Sequence, residues 1–322
     1  MRMRFMSLLY HGPPSAGWPR GPFRTTSAAI MSKARPRRSV LYMPGANTRA
    51  LEKAKTLPAD GLILDLEDAV APDAKTQARD NVVKALREGG YGKRELFLRI
   101  NGLETPWGQA DAQAAAQSGA DAVLIPKVES AAQVRQVAAI LEANGAPDTQ
   151  TIWVMAETPL GILNAAEIAQ AHPRLAGFVL GTSDLVKDLR AAHTALRLPV
   201  ATSLGLTLLA ARAYNLSILD GVYLDLENEQ GYADAVLQGK EFGFDGKTLI
   251  HPKQVAKANE LFAPSEKEVE QARKIISAHA EAAAQGKGVV LVDGKLIENL
   301  HVVQAQRQVE LADAIAALKE NA

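Results

Sequence analysis

Six short apolar runs in this chain end in side chains capable of chemistry. They lead into Asp65-Leu66-Glu67-Asp68, Arg99-Ile100-Asn101, Pro126-Lys127, Glu157-Thr158, Gly181-Thr182-Ser183-Asp184 and His251-Pro252. Carboxylates gathered around one axis repel and raise one another's pKa unless a cation intervenes. The chain has no cysteine, and His251 is the only histidine near the end of such a run, which argues against a zinc site of nitrogen and sulfur ligands. A hard divalent cation held by carboxylate and water oxygens suits the donor set, with Mg²⁺ the expected ion. Taken singly, each acid has a structural reading as a helix cap. Polar groups at five run ends together favour a site.

Such residues need a scaffold that presents strand ends to one place. From Arg38 onward, short β-branched apolar runs alternate with Ala-rich amphipathic stretches, the pattern of βα units and a parallel sheet. Strands are expected at 39–43, 61–66, 96–101, 122–126, 152–157, 177–181, 218–224 and 248–251. Helices are expected at 110–118, 131–143, 165–171 and 204–214, all rich in good helix formers. Eight strands joined by helices predict an α/β fold, a (β/α)₈ TIM barrel spanning 37–262. The first turn, Pro44-Gly45-Ala46-Asn47, has a single glycine and lacks the Gly-x-Gly-x-x-Gly of a dinucleotide site.

Residues 263–322 exceed what the barrel holds. Ser265 followed by Glu268 reads as a capping box opening a helix. Gly286-Lys287-Gly288 breaks that helix, the Asp293-Gly294 turn joins a small hairpin, and a last helix follows. This C-terminal helical and hairpin extension is expected to act as a lid or an oligomerisation element.

Charge is unevenly spread. The 322 residues carry 36 basic and 36 acidic side chains, yet residues 1–51 hold nine basic groups and no acid. The rest of the chain is therefore acidic, with 27 basic groups against 36 acidic. A body of that sign lacks the basic footprint of nucleic-acid binding. No apolar run approaches the roughly 18–20 residues that span a bilayer. Residues 1–36, with their prolines, glycines and absence of acids, read as a disordered leader or a start set too early, with Met31 as the alternative start. Location in the cytoplasm follows from that reading. The other reading is an organellar transit peptide, which implies the mitochondrial matrix.

The segments Arg38-Ser39-Val40-Leu41-Tyr42-Met43-Pro44-Gly45, Leu64-Asp65-Leu66-Glu67-Asp68-Ala69-Val70, Arg99-Ile100-Asn101-Gly102, Leu124-Ile125-Pro126-Lys127-Val128-Glu129, Glu157-Thr158 and Gly246-Lys247-Thr248-Leu249-Ile250-His251-Pro252 carry a resemblance. In that order they resemble the citrate lyase β-subunit-like family, which includes malyl-CoA lyases and malyl-CoA thioesterases within the HpcH/HpaI aldolase superfamily. The likeness spans about residues 37–318. It implies a Mg²⁺-dependent enzyme acting on a 3-hydroxyacyl-CoA such as malyl-CoA. By that resemblance Glu157 and Asp184 are the direct metal ligands, and Glu67 and Asp68 bind the metal's waters. Arg99 holds the substrate oxygens, and Asn47, Arg49 and Lys53 meet the CoA phosphates. The resemblance also implies a homotrimer or hexamer whose tail delivers a carboxylate to a neighbouring subunit's site.

Two departures from the family pattern stand out. Where lyases place an aspartate in the tail, this chain has Glu298, within Glu298-Asn299-Leu300-His301. Its extra methylene moves the oxygens by about 1.5 Å, a scale on which rates fall steeply. That ending is closer to the malyl-CoA thioesterases. Ser183 also replaces the acid or apolar residue that several lyases carry before the metal-binding aspartate. His301 has a capping reading, and His193 with Arg197 either binds a second substrate carboxylate or lies in a solvated loop. A CoA-ester C–C lyase giving glyoxylate and an acyl-CoA is the leading expectation. A thioesterase on the same scaffold is the alternative, and a citrate-lyase-type subunit is the third reading.

Overall fold

The computed structural model describes residues 35–319; all but the last two residues of the expected 1–36 leader lie outside them. Eight parallel strands close into a barrel: β1 (Ser39–Pro44), β2 (Gly61–Asp65), β3 (Glu95–Arg99), β4 (Ala122–Ile125), β5 (Thr151–Ala156), β6 (Leu175–Leu180), β7 (Ser217–Asp220) and β8 (Gly246–Leu249). Each strand pairs with the next, and β8 returns to β1 in the register Ser39↔Lys247 through Leu41↔Leu249. All eight expected strands are present, and their observed bounds differ from the expected ones by at most four residues. The largest difference is β7, where the apolar stretch after Asp220 leaves the sheet and Tyr223 stacks on Tyr232 at 5.8 Å.

Alternation along the strands decides what faces inward. Val40, Ile63, Phe97, Leu124, Trp153, Met155, Val179 and Leu219 fill the barrel. The complementary residues, such as Leu41, Leu62, Leu98 and Val154, pack against the helical ring in a larger core. Trp153 is fully buried and meets the Phe97 ring edge-on at 5.2 Å. Gly177 of β6 makes room for it: a Cβ there would sit 2.5 Å from the indole. The barrel is thus packed through its centre, so any chemistry belongs at an end.

Beyond the barrel the helix Glu266–Ala284 begins at Ser265, whose side chain and that of Glu268 form the expected capping box. The strands β9 (Val290–Val292) and β10 (Lys295–Ile297) pair antiparallel, and the helix Asn299–Lys319 follows. Val292, Ile297 and Val302 form a small core of their own with Ile275 and Ile276. A cleft of about 890 Å³ separates this extension from the starts of the first strands, with Arg38, Asp60 and Arg94 on one side and Glu270 and Ile315 on the other. The extension therefore flanks the N-terminal end of its own barrel. Among the described residues no helix is long and apolar enough to cross a membrane.

Candidate active site

Inward-facing positions at the C-terminal strand ends carry Tyr42, Asp65, Arg99 and Met155, continuing the alternation set by Val40, Ile63, Phe97 and Trp153. Arg99 is 5% exposed and lies with its guanidinium 4.9 Å from the Tyr42 ring centre. Asp65 accepts from Arg99 Nε at 2.6 Å and from Nη2 at 2.5 Å, a two-pronged pair that fixes the guanidinium plane. Nη1 donates to the Met155 sulfur at 3.5 Å and lies 2.9 Å from Glu67 Oε2. Burial works against the charge of Arg99, but Asp65, Tyr42 and Glu67 reverse that and hold its pKa well above the usual value.

The turn after β2 is built by the same aspartate. Asp65 Oδ1 accepts from the Glu67 N–H at 2.8 Å and Oδ2 from the Ala69 N–H at 3.2 Å. Lys75, itself buried, donates to the Leu66 and Glu67 carbonyls at 3.0 and 2.8 Å, and Asn101 Nδ2 donates to Leu66 O at 2.9 Å. Asn101 is held in turn by the fully buried Asp111 at 2.6 Å. This layer presents Glu67 and Asp68 at the mouth. Glu67 pairs with Lys127 and with Arg99, while Asp68 lies 3.7 Å from Arg99 and 3.6 Å from Lys127. Burial pushes the Glu67 carboxyl pKa up, against the pull of Arg99 and Lys127.

Glu157 follows β5 and is 1% exposed. Its Oε1 accepts the Lys127 backbone N–H at 2.8 Å. Burial dominates its titration and pushes its pKa up to about 7, although Lys127 and Arg99 oppose the rise. The end of β6 lies directly against this carboxyl. A Cβ on Gly181 would sit 2.3 Å from Glu157 Oε2, so only glycine leaves room there. Three residues on, Asp184 stands in the first turn of the helix Thr182–Asp188 and pairs with Lys187 at 2.9 Å.

The structure therefore brings Glu67, Asp68, Arg99 and Glu157 together, with Asp184 on the adjoining helix. Among the described residues no group of three or more metal-ligating side chains is arranged to hold an ion. A metal here has two carboxylate ligands at most, which suits Mg²⁺, an ion that keeps several of its waters. The oxygen donors and the excess of acid fit such an ion.

The remaining expected residues lie elsewhere. Asn47 caps the helix Thr48–Ala54, accepting from Ala50 N at 3.0 Å. Arg49 and Lys53 stand exposed on that helix, with no ion pair among the described residues. Glu298 is exposed at the start of the last helix, where its N–H donates to His301 Nδ1 at 3.0 Å; His301 thus acts as a cap. Arg197 neither awaits a carboxylate nor lies in solvent: Asp220 takes it at 2.7 Å, and the buried Lys247 joins the same aspartate at 2.8 Å. His193 is exposed. Asp65 and Lys127 were named in the sequence only as part of strand ends. Inward parity with Ile63 is the signal that finds Asp65; nothing in the sequence marks the backbone of Lys127.

Fold and charges together define a (β/α)₈ barrel of the kind that works at the C-terminal ends of its strands. Residues 38–252 match the HpcH/HpaI aldolase/citrate lyase family, and the chain belongs to that family. It is 52% identical to a (3S)-malyl-CoA thioesterase of Cereibacter sphaeroides, over 88% of this chain and 98% of that protein. Citrate lyase subunit beta of Escherichia coli is 39% identical, over 83% of this chain and 90% of its own. Among solved structures, the protein CitE from Mycobacterium tuberculosis in complex with magnesium, acetoacetate and coenzyme A superposes with a TM-score of 0.69. It is 27% identical, over 87% of this chain and 99% of that one.

Proposed function

We propose that this protein is a Mg²⁺-dependent enzyme that hydrolyses the CoA thioester of malate or a closely related 3-hydroxy acid. The carrying observation is the 52% identity to a (3S)-malyl-CoA thioesterase along 98% of that relative. The sequence alone put the lyase first; near-full-length identity to a thioesterase, together with Glu298 in place of an aspartate, reverses that order. Glu157 and Asp184 hold the ion, with Glu67 and Asp68 on its waters. When bound, Mg²⁺ supplies Lewis-acid polarisation of the substrate oxygens.

Arg99 needs no reorganisation to act. Asp65 and Met155 already take three of its five N–H groups and Glu67 Oε2 lies 2.9 Å from Nη1, leaving an N–H on Nη2 for an oxygen that gains negative charge. In hydrolysis a water oxygen bonds to the thioester carbon, the C–S bond breaks, and the sulfur leaves as the thiol with the water's proton. Glu298, arriving from a second copy in a trimer or hexamer, is the carboxylate that takes and returns that proton. Asn47, Arg49 and Lys53 receive the CoA phosphates, the two cations standing exposed with no ion pair among the described residues.

C–C cleavage to glyoxylate and an acyl-CoA is the second reading, favoured by the citrate lyase relative at 39% identity. Purified protein is given malyl-, methylmalyl- and citramalyl-CoA with Mg²⁺ or with chelator. A thiol reagent reports free CoA, and a hydrazone reports the keto acid, glyoxylate from malyl- and methylmalyl-CoA or pyruvate from citramalyl-CoA. Thiol without hydrazone supports hydrolysis, hydrazone without thiol supports cleavage, and neither signal from any substrate ends both readings. For Glu298, mixing inactive Glu298→Ala with inactive Glu157→Ala restores activity only if the carboxylate crosses between subunits.

A further inference from the structure

We infer that Lys127 is a positioning residue that fixes two acids of the site at once, Glu157 through its backbone N–H and Glu67 through its ammonium. The inference rests on the metal-site reading above. The Lys127 N–H meets Glu157 Oε1 at 2.8 Å, and Nζ pairs with Glu67 and lies 3.6 Å from Asp68 Oδ1. One residue thereby ties the end of β2 to the end of β5 from its own place after β4.

The backbone of Lys127 is bent to allow this. Its φ is +49°, in the left-handed region that strains a non-glycine residue and persists only where surrounding contacts impose it. Pro126 before it and Val128 after it, the latter 1% exposed, hold the turn in place. Glycine would adopt the conformation freely. A lysine there is explained by what its side chain reaches. Burial disfavours the ammonium, but its bond to Glu67 and the neighbouring Glu157 and Asp68 raise its pKa, so the cation is retained among the acids.

The two contacts separate by mutation. Lys127→Gly keeps the left-handed turn and the N–H to Glu157 but removes the ammonium. Lys127→Ala removes the ammonium but keeps the Cβ that strains the turn, now without the Glu67 contact that holds it. Lys127→Arg keeps a cation. Mn²⁺ titrated calorimetrically into metal-stripped protein reads the carboxylate geometry without any turnover, and melting temperature reports the fold. Lys127→Gly is expected to bind Mn²⁺ no more weakly than wild type and to melt above Lys127→Ala, which binds Mn²⁺ about tenfold more weakly. Both Lys127→Gly and Lys127→Met lose about 10- to 100-fold in kcat, and Lys127→Arg recovers part of it. Equal Mn²⁺ affinity and melting in the Gly and Ala variants overturns the backbone role. A wild-type kcat in Lys127→Met overturns the ammonium role. A wild-type protein that binds no Mn²⁺ overturns instead the metal reading on which the inference rests.

Discussion

The two ends of the barrel use the same parts differently. At the N-terminal end Arg37 lies 5.0 Å from the Trp153 ring centre, donates to Glu95 Oε1 at 2.9 Å and reaches Ser217 Oγ at 3.1 Å. Arg35 adds a pair with Asp121 at 3.2 Å, so two arginines face two acids. At the C-terminal end another arginine lies over another aromatic ring, with Asp65 as its two-pronged partner. There, however, among the described residues Asp65, Glu67, Asp68 and Glu157 face only Arg99 and Lys127. The single strand β3 joins both, with Glu95, Phe97 and Arg99 on its inward face. A matched cluster closes one end, and a surplus of carboxylate at the other creates demand for a cation. Charge imbalance, more than the presence of charged groups, separates a site from a plug.

That contrast is broken most sharply at Glu157. Glu157→Ala is expected to lower metal-dependent turnover by about 10³-fold, the scale of several kcal/mol of lost charge stabilisation, while the protein stays folded. Steady-state rates with and without Mg²⁺ check it, and undiminished turnover removes Glu157 from the site. Glu95→Ala is the counterpart at the closed end. It strands Arg37 without its carboxylate and is expected to cost about 3–5 kcal/mol of stability, with kcat per folded molecule unchanged; denaturant unfolding and active-site titration separate the two.

The surplus acid also carries a pH signature. A buried Glu157 with its pKa raised to about 7 from 4.5 binds its proton more tightly folded than unfolded. Stability of the metal-free protein therefore falls as pH rises from about 4.5 to about 7, by up to about 3 kcal/mol, and stays low above. Melting in chelator at pH 5 and pH 8 checks this. Glu157→Gln removes its part of the difference, and Mg²⁺ raises the melting temperature more at pH 8 than at pH 5. Arg49→Ala and Lys53→Ala are the smallest perturbations. Each is expected to raise KM for the CoA ester by about threefold, an effect that shrinks with added salt and leaves kcat alone.

The barrel was legible because its signal is local. Each strand is a short β-branched run bounded by turn residues, and the capping box at Ser265 and the turn at Asp293-Gly294 are equally short-range. Site acids at strand ends were readable for the same reason. What was not readable is pairing across the barrel. Asp65 and Arg99 are 34 residues apart, and only the register Asp65↔Arg99 between β2 and β3 sets them side by side. Lys127 was seen as a charge at a strand end, yet its main-chain geometry has no counterpart in residue type. Arg197 was misread because its partner Asp220 sits on the outward face of β7, against the helical layer. Parity along each strand, applied beyond the apolar residues, recovers the first of these and not the others.

The packed interior has a kinetic consequence. With Phe97, Trp153 and Met155 filling the barrel and Arg37 with Glu95 sealing its far end, ligands reach the strand-end site from one side only. Substrate and both products must then share a single doorway. A species seated deepest leaves only after the one above it has gone, which predicts ordered release and a product that competes with incoming substrate for the same entrance.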